Sequence, residues 1–126
     1  MPLNLIVLAD IFAICRLDAD APIPDWAQGE FVSITRTPDE LSIVCHQDRV
    51  PDDVQCEAGW RCLRVDGKLD FSLVGVIALL TGPLAEAGIS VFVVSSFDTD
   101  YLLVKDSDMD KAVAALEEAG HRVGGQ

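Results

Sequence analysis

From Leu3 to Leu17 the chain is almost continuously apolar, broken only by Asn4, Asp10 and Arg16. That run predicts one or two buried strands with a turn at Asp10. Ala21-Pro22-Ile23-Pro24-Asp25-Trp26 cannot carry regular helix through Pro24, so at most a short helix begins there. Phe31 to Thr37 and Leu41 to Cys45 read as a hairpin across Thr37-Pro38-Asp39-Glu40, whose proline presets the second turn position. His46 to Gly59 is polar, with a single helical turn expected at Pro51-Asp52-Asp53, and forms the natural boundary between two halves.

The second half is more regular. Trp60 to Val65 predicts a strand ended by the turn dipeptide Asp66-Gly67. Asp70 or Ser72 is placed to cap a helix carrying Leu73, Val76, Ile77, Leu80 and Leu84 on one face. Pro83 is expected to kink that helix and Gly88 to stop it. Ile89 to Ser95 and Tyr101 to Val104 read as strands. Asp108 opens a last helix through Ala119, with Gly120 as its stop and His121 to Val123 as a final short strand.

The two halves echo one another. Phe31 to Val44 aligns without a gap on Val91 to Val104, and an acid (Glu40, Asp100) precedes the second strand of each pair. Phe12 to Asp18 likewise matches Trp60 to Asp66, so the first connection is 12 residues shorter in the first half. Such self-similarity governs the fold class. It predicts an α+β, ferredoxin-like βαββαβ arrangement with helices on one face of antiparallel sheets: a degenerate half at 1–58 and a complete one at 59–126.

Composition narrows the function classes. Half of the 126 residues are hydrophobic, which supports a folded core and argues against disorder. Net charge is −12, a field that repels phosphate backbones and anionic lipid, so neither a nucleic acid nor a membrane is an expected partner. Residues 71–85 form the longest uncharged stretch, too short to span a bilayer. Met1 to Asp10 lacks the basic region and cleavage site of a secretory leader, so a cytoplasmic location with reduced thiols is the expectation. Cys15, Cys45 and Cys62 lie in apolar strand patterns, where a thiol acts as a small hydrophobe. The four cysteines show no tight ligand spacing, so no metal is expected.

Phe71-Ser72-Leu73-Val74-Gly75-Val76-Ile77-Ala78, Pro83-Leu84-Ala85-Glu86-Ala87-Gly88-Ile89 and Ser95-Ser96-Phe97-Asp98-Thr99-Asp100-Tyr101 together resemble the ACT domain family. The similarity covers about 65 residues, Trp60 to Val123. Within the family it is nearest to small bacterial tandem-ACT proteins and to the ACT modules of cytosolic arginine sensors. Many members place proline before the glycine, where this chain has Val74. The resemblance implies two ACT-like halves and a regulatory protein that is not an enzyme. It implies an amino acid or similar small zwitterion bound between modules, in a homodimer, with no cofactor.

Physical chemistry points to the same segment. The free N–H groups of Ser72, Leu73, Val74 and Gly75 at a helix start suit a carboxylate. Asp98, Asp100 and the hydroxyls of Ser95, Ser96 and Thr99 suit an ammonium group, with Phe97 against the ligand's stem. Structural roles account for the same residues: capping for Asp70 and Ser72, a solvated turn for Asp98-Thr99-Asp100, close packing for Gly75. Two further classes stay open on sequence alone. One is a small ferredoxin-like enzyme using a carboxylate or thiol; the other is a partner-binding subunit with a vestigial pocket.

Overall fold

The computed structural model describes residues 2–69 and 74–125. Along them run β1 (Asn4–Val7), β2 (Phe12–Leu17), β3 (Ser33–Arg36), β4 (Leu41–His46), β5 (Gln55–Val65), α1 (Val76–Glu86), β6 (Phe92–Ser95), β7 (Asp100–Lys105), α2 (Met109–Glu118) and β8 (Arg122–Gly125). Two compact units emerge: Met1–Ala9 with Arg61–Gln126, and Asp10–Trp60. Strand β5 gives residues 55–60 to the second and 61–65 to the first.

In the unit that holds the C-terminus the elements from β5 onward follow the ferredoxin-like order strand, helix, strand, strand, helix, strand. The sheet runs β6–β7–β5–β1–β8. Its one departure from the expected antiparallel sheet is the parallel β1–β8 pair, with Leu5 opposite Val123. A strand inserted between two oppositely directed neighbours must run parallel to one of them, and β1 lies antiparallel to β5. Leu5, Leu63, Val65, Leu102 and Val104 share one sheet face, covered by Leu80 and Leu84 of α1 and by Met109, Ala112 and Leu116 of α2.

Both helices end as the glycines predict. Gly88 and Gly120 have φ of 74° and 98°. Ile89 N–H donates to the Leu84 carbonyl at 2.9 Å and His121 N–H to the Leu116 carbonyl at 3.1 Å, the six-to-one bond of a Schellman stop. The start of α1 differs from expectation. Helix begins at Val76 and its capping position falls to Gly75, at φ 79°. Asp70, Phe71, Ser72 and Leu73 lie outside the described residues.

The Asp10–Trp60 unit orders its strands β3–β4–β2–β5, all antiparallel. Ala13, Cys15, Leu41, Ile43 and Cys45 form its core, flanked by Trp26, Val32, Val50 and Val54. Among its described residues there is no α-helix. Residues 25–26 form only a turn, closed by Ala27 N–H on the Pro24 carbonyl at 3.2 Å. Where the other unit has a helix between strands, this one has an irregular segment pinned by one side chain. The Arg36 guanidinium donates to the carbonyls of Ala19 and Ala21, the latter at 2.8 Å. The single turn expected at residues 51–53 is closed by Val54 N–H on the Pro51 carbonyl at 3.2 Å, and a 3-10 turn precedes it at Gln47–Arg49, where His46 Nδ1 accepts from Asp48 N–H at 3.2 Å.

The internal echo is structural, with one slip. Residues 33–49 and 92–108 carry the same succession of strand, loop, strand and 3-10 turn, displaced by 59 positions and not the 60 of the sequence alignment. The loop chemistry sets that register. Thr37 and Ser96 each hold the first loop position, and their N–H groups donate to the carbonyls of Glu40 and Thr99, both at 2.9 Å. Thr37 Oγ1 accepts from Glu40 N–H at 3.2 Å, and Ser96 Oγ from Thr99 N–H at 3.3 Å. Thr99 is thus the counterpart of Glu40, and Asp100 that of Leu41.

Candidate functional site

A cavity of about 320 Å³ opens beside the start of α1 and the β6–β7 loop. It is lined by Leu69, by residues 75–78 and by residues 95–100. Of the residues singled out in the sequence, Gly75, Ser95, Ser96, Phe97, Asp98, Thr99 and Asp100 therefore meet around one space. Val74 does not line it and is 92% exposed. Ser72 and Leu73 lie outside the described residues.

The helix donors move by a turn. Leu79 N–H makes the first helical bond, to the Gly75 carbonyl at 3.0 Å. The N–H groups of Val76, Ile77 and Ala78 precede the ladder and belong to the partial positive end of α1. They stand beside Gly75 of the expected set, of which Ser72 and Leu73 lie outside the described residues. The missed signal was Gly75 itself: a glycine fits a left-handed residue just outside a helix better than a place within its first turn. A Cβ added at Gly75 meets no described heavy atom within 4 Å, so its role is conformational and not close packing.

Across the cavity the β6–β7 connection is held by its own hydroxyls. Ser95 and Asp100 are the last cross-strand pair. Ser95 Oγ donates to Asp100 Oδ1 at 2.6 Å, a short, charge-assisted bond that fixes the carboxylate's direction. Ser96 Oγ donates to the Thr99 carbonyl at 3.0 Å. Thr99 is buried, and its Oγ1 donates to the Val65 carbonyl at 2.8 Å. Leu69 N–H donates to the Asp98 carbonyl at 2.7 Å, tying the chain before α1 to the same loop. Phe97 stands at the tip, 78% exposed. Ser96 and Thr99 therefore serve the loop's shape, whereas the Ser95–Asp100 pair presents a charge. Leu69, Val76, Ile77 and Ala78 are lining residues that sequence reasoning did not name; they supply apolar wall beside the polar residues of the loop.

The first residues of α1 and Asp100, whose carboxylate Ser95 holds, thus line one cavity. Among the described residues no three His, Cys, Asp or Glu side chains are grouped to hold a metal ion. None of the described helices is long and apolar enough to cross a membrane.

Known proteins agree with this architecture. A crystal structure of a protein from Agrobacterium tumefaciens superposes with a TM-score of 0.95 at 44% sequence identity, over 100% of this chain and 95% of that one. The regulatory subunit of aspartate kinase from Thermus flavus shares the fold, with a TM-score of 0.66 at 11% identity over 94% of this chain and 99% of its own. The human cytosolic arginine sensor for mTORC1 subunit 1 is 28% identical over 108 residues, 79% of this chain and 33% of that protein. The chain thus spans about a third of the length of such curated relatives. A model of an N-terminal domain matches residues 10–53. A family model described as the ACT domain matches residues 55–118, half of the chain, and this protein belongs to the ACT domain family.

Proposed function

We propose that this protein is a non-catalytic regulatory sensor that binds an α-amino acid, or a similar small zwitterion, in the cavity between α1 and the β6–β7 loop. The observation that carries the reading is that Val76, Ile77 and Ala78, the first residues of α1, and Asp100 line one space. A zwitterion satisfies both. Its carboxylate takes the N–H groups of Val76, Ile77 and Ala78, and its ammonium group faces Asp100, with Ser95 keeping that carboxylate in place. Asp98, at the same loop, inclines the site toward cationic ligands.

The relatives support a regulatory role, since one is a cytosolic arginine sensor and another a regulatory subunit of an amino-acid kinase. The proposed setting is cytoplasmic and the proposed assembly a homodimer related by a two-fold axis. In that dimer the ligand lies at an interface between modules, and the two-fold axis makes two equivalent sites. Titration calorimetry of the full chain across the standard amino acids tests the reading. Saturable binding of at least one, absent with its carboxyl-amidated form, is the expected result. Heat-silent titrations throughout, with no thermal shift, count against it. Light scattering that returns a 13.6 kDa monomer at every concentration, with and without ligand, sinks the dimer.

A further inference from the structure

Three of the four thiols converge on one face of the Asp10–Trp60 unit. Cys15 of β2 is the direct cross-strand partner of Cys56 of β5. Cys45 of β4 stands opposite Ala13, one step along the same face. Cys15 and Cys45 are buried in the same core, and Cys15 and Cys56 face one another across β2 and β5. Packing accounts for the two buried cysteines, since a thiol is a small hydrophobe. It does not account for the third. Cys56 is exposed, and it lines an open cavity of about 370 Å³ with Val50, Val54 and Ala58.

The geometry suits a bond. Residues directly opposite in an antiparallel ladder have Cα atoms about 4.5–5.5 Å apart and side chains on the same face. A disulfide needs a Cα separation of roughly 4.4–6.8 Å. The described residues offer no metal-holding group there, which leaves thiol–disulfide chemistry as what the cluster can do.

We propose that Cys56 and Cys15 form a reversible redox pair, in which Cys56 is the entry thiol for a low-molecular-weight disulfide and Cys15 resolves it. The Cys56 thiolate attacks one sulfur of the small disulfide, forming a mixed disulfide and expelling the first small thiolate. Cys15 then attacks the Cys56 sulfur, forming the Cys15–Cys56 bond and expelling the second. The protons lost from Cys56 and Cys15 end on the two released small thiols. The two cysteines are oxidised and the small disulfide is reduced to two thiols; excess small thiol reverses both steps. Cys45 shares the core of Cys15, and its thiol donates to the His46 carbonyl at 3.7 Å.

The test uses the full chain in glutathione buffers of graded redox ratio, followed by non-reducing peptide mapping. The expected result is a Cys15–Cys56 link lighter by two hydrogens and restored to free thiols by dithiothreitol. Cys15→Ser should instead accumulate a lasting glutathione adduct on Cys56, Cys56→Ser should leave Cys15 reduced, and Cys62→Ser should behave as the unsubstituted protein. Three results overturn the proposal, all readable in the unsubstituted chain: a persistent adduct on Cys56 beside a free Cys15, a Cys15–Cys45 link, or no oxidation at any ratio.

Discussion

The imidazole of His121 repairs the hydrogen-bond ladder that Pro83 breaks in α1. Leu79 lies four residues before Pro83, so its carbonyl has no helical N–H to accept. His121 Nε2 stands 3.2 Å from that oxygen. On the other side of the ring, Nδ1 accepts from Leu3 N–H at 3.1 Å. A backbone N–H can only donate, so Nδ1 carries no proton and Nε2–H donates to Leu79. One buried ring thus ties the residue before β1 to α1. His121→Ala leaves two backbone groups without their partners, at roughly 1–3 kcal/mol each. Pro83→Ala restores the N–H that Leu79 lacks, so it should stabilise the His121→Ala protein more than the unsubstituted one. Urea unfolding of the four combinations measures the coupling, and strict additivity would contradict the assigned bond.

Gly75 sits at φ 79° with open space around its would-be Cβ. Alanine there meets no described atom within 4 Å and yet adopts a left-handed backbone, at a cost of roughly 1–2 kcal/mol. Asparagine, which tolerates that region, should lose less than alanine. Equal stability of all three proteins in chemical denaturation would mean that the turn before α1 differs from the one described.

Asp100 and Ser95 separate charge from shape. Asp100→Asn keeps an oxygen for the Ser95 hydroxyl while removing the negative charge, so the loop should survive. A charge-assisted hydrogen bond contributes roughly 1.5–3 kcal/mol, and ~1.4 kcal/mol is tenfold in affinity. Amino-acid binding should therefore weaken about tenfold or more. Ser95→Ala should weaken it less, by freeing the carboxylate to rotate. Ser96→Ala acts on the loop closure and should lower thermal stability before affinity. Unchanged affinity in Asp100→Asn would move the site elsewhere.

The parts of this fold that were legible in the sequence are those written in strong local patterns. The hairpins at residues 33–46 and 92–105, the stop glycines at 88 and 120, and the helix 109–118 all follow from period and punctuation. Three features escaped, each for a physical reason. Gln55-Cys56-Glu57-Ala58-Gly59 reads as polar linker but is strand, because its pairing with β2 supplies what β-propensity does not. The register shifts there between Phe12 and Ile14, and Gly59 takes φ 81° at the irregularity. The helix starts at Val76, later than the expected caps at Asp70 or Ser72, because Gly75 takes a left-handed backbone just before it. The 59-residue repeat was misread as 60 because hydrophobicity aligns strands, whereas loop hydroxyls set where a hairpin closes. The site residues from 95 to 100 were visible as a polar cluster; that α1 begins its donors at Val76 was not.

Cys62 makes the fold sensitive to alkali. Its side chain is fully buried on β5, and burial pushes its thiol up to about 12 from 9.0, with Arg64 acting weakly the other way. A raised value means that the folded state keeps the proton longer than the unfolded chain does. This contribution is fully present below pH 9 and is lost progressively as pH rises toward 12. In that window the folded protein holds one proton more at this residue, so stability should fall by about 1.4 kcal/mol per pH unit from Cys62 alone. Cys62→Ala removes that dependence at the expense of a small cavity, so it should start less stable at pH 8 and lose less between pH 9 and pH 11. Denaturant titrations of both proteins at a series of pH values decide the point. Parallel declines would show that Cys62 ionises no later in the folded state than in the unfolded chain.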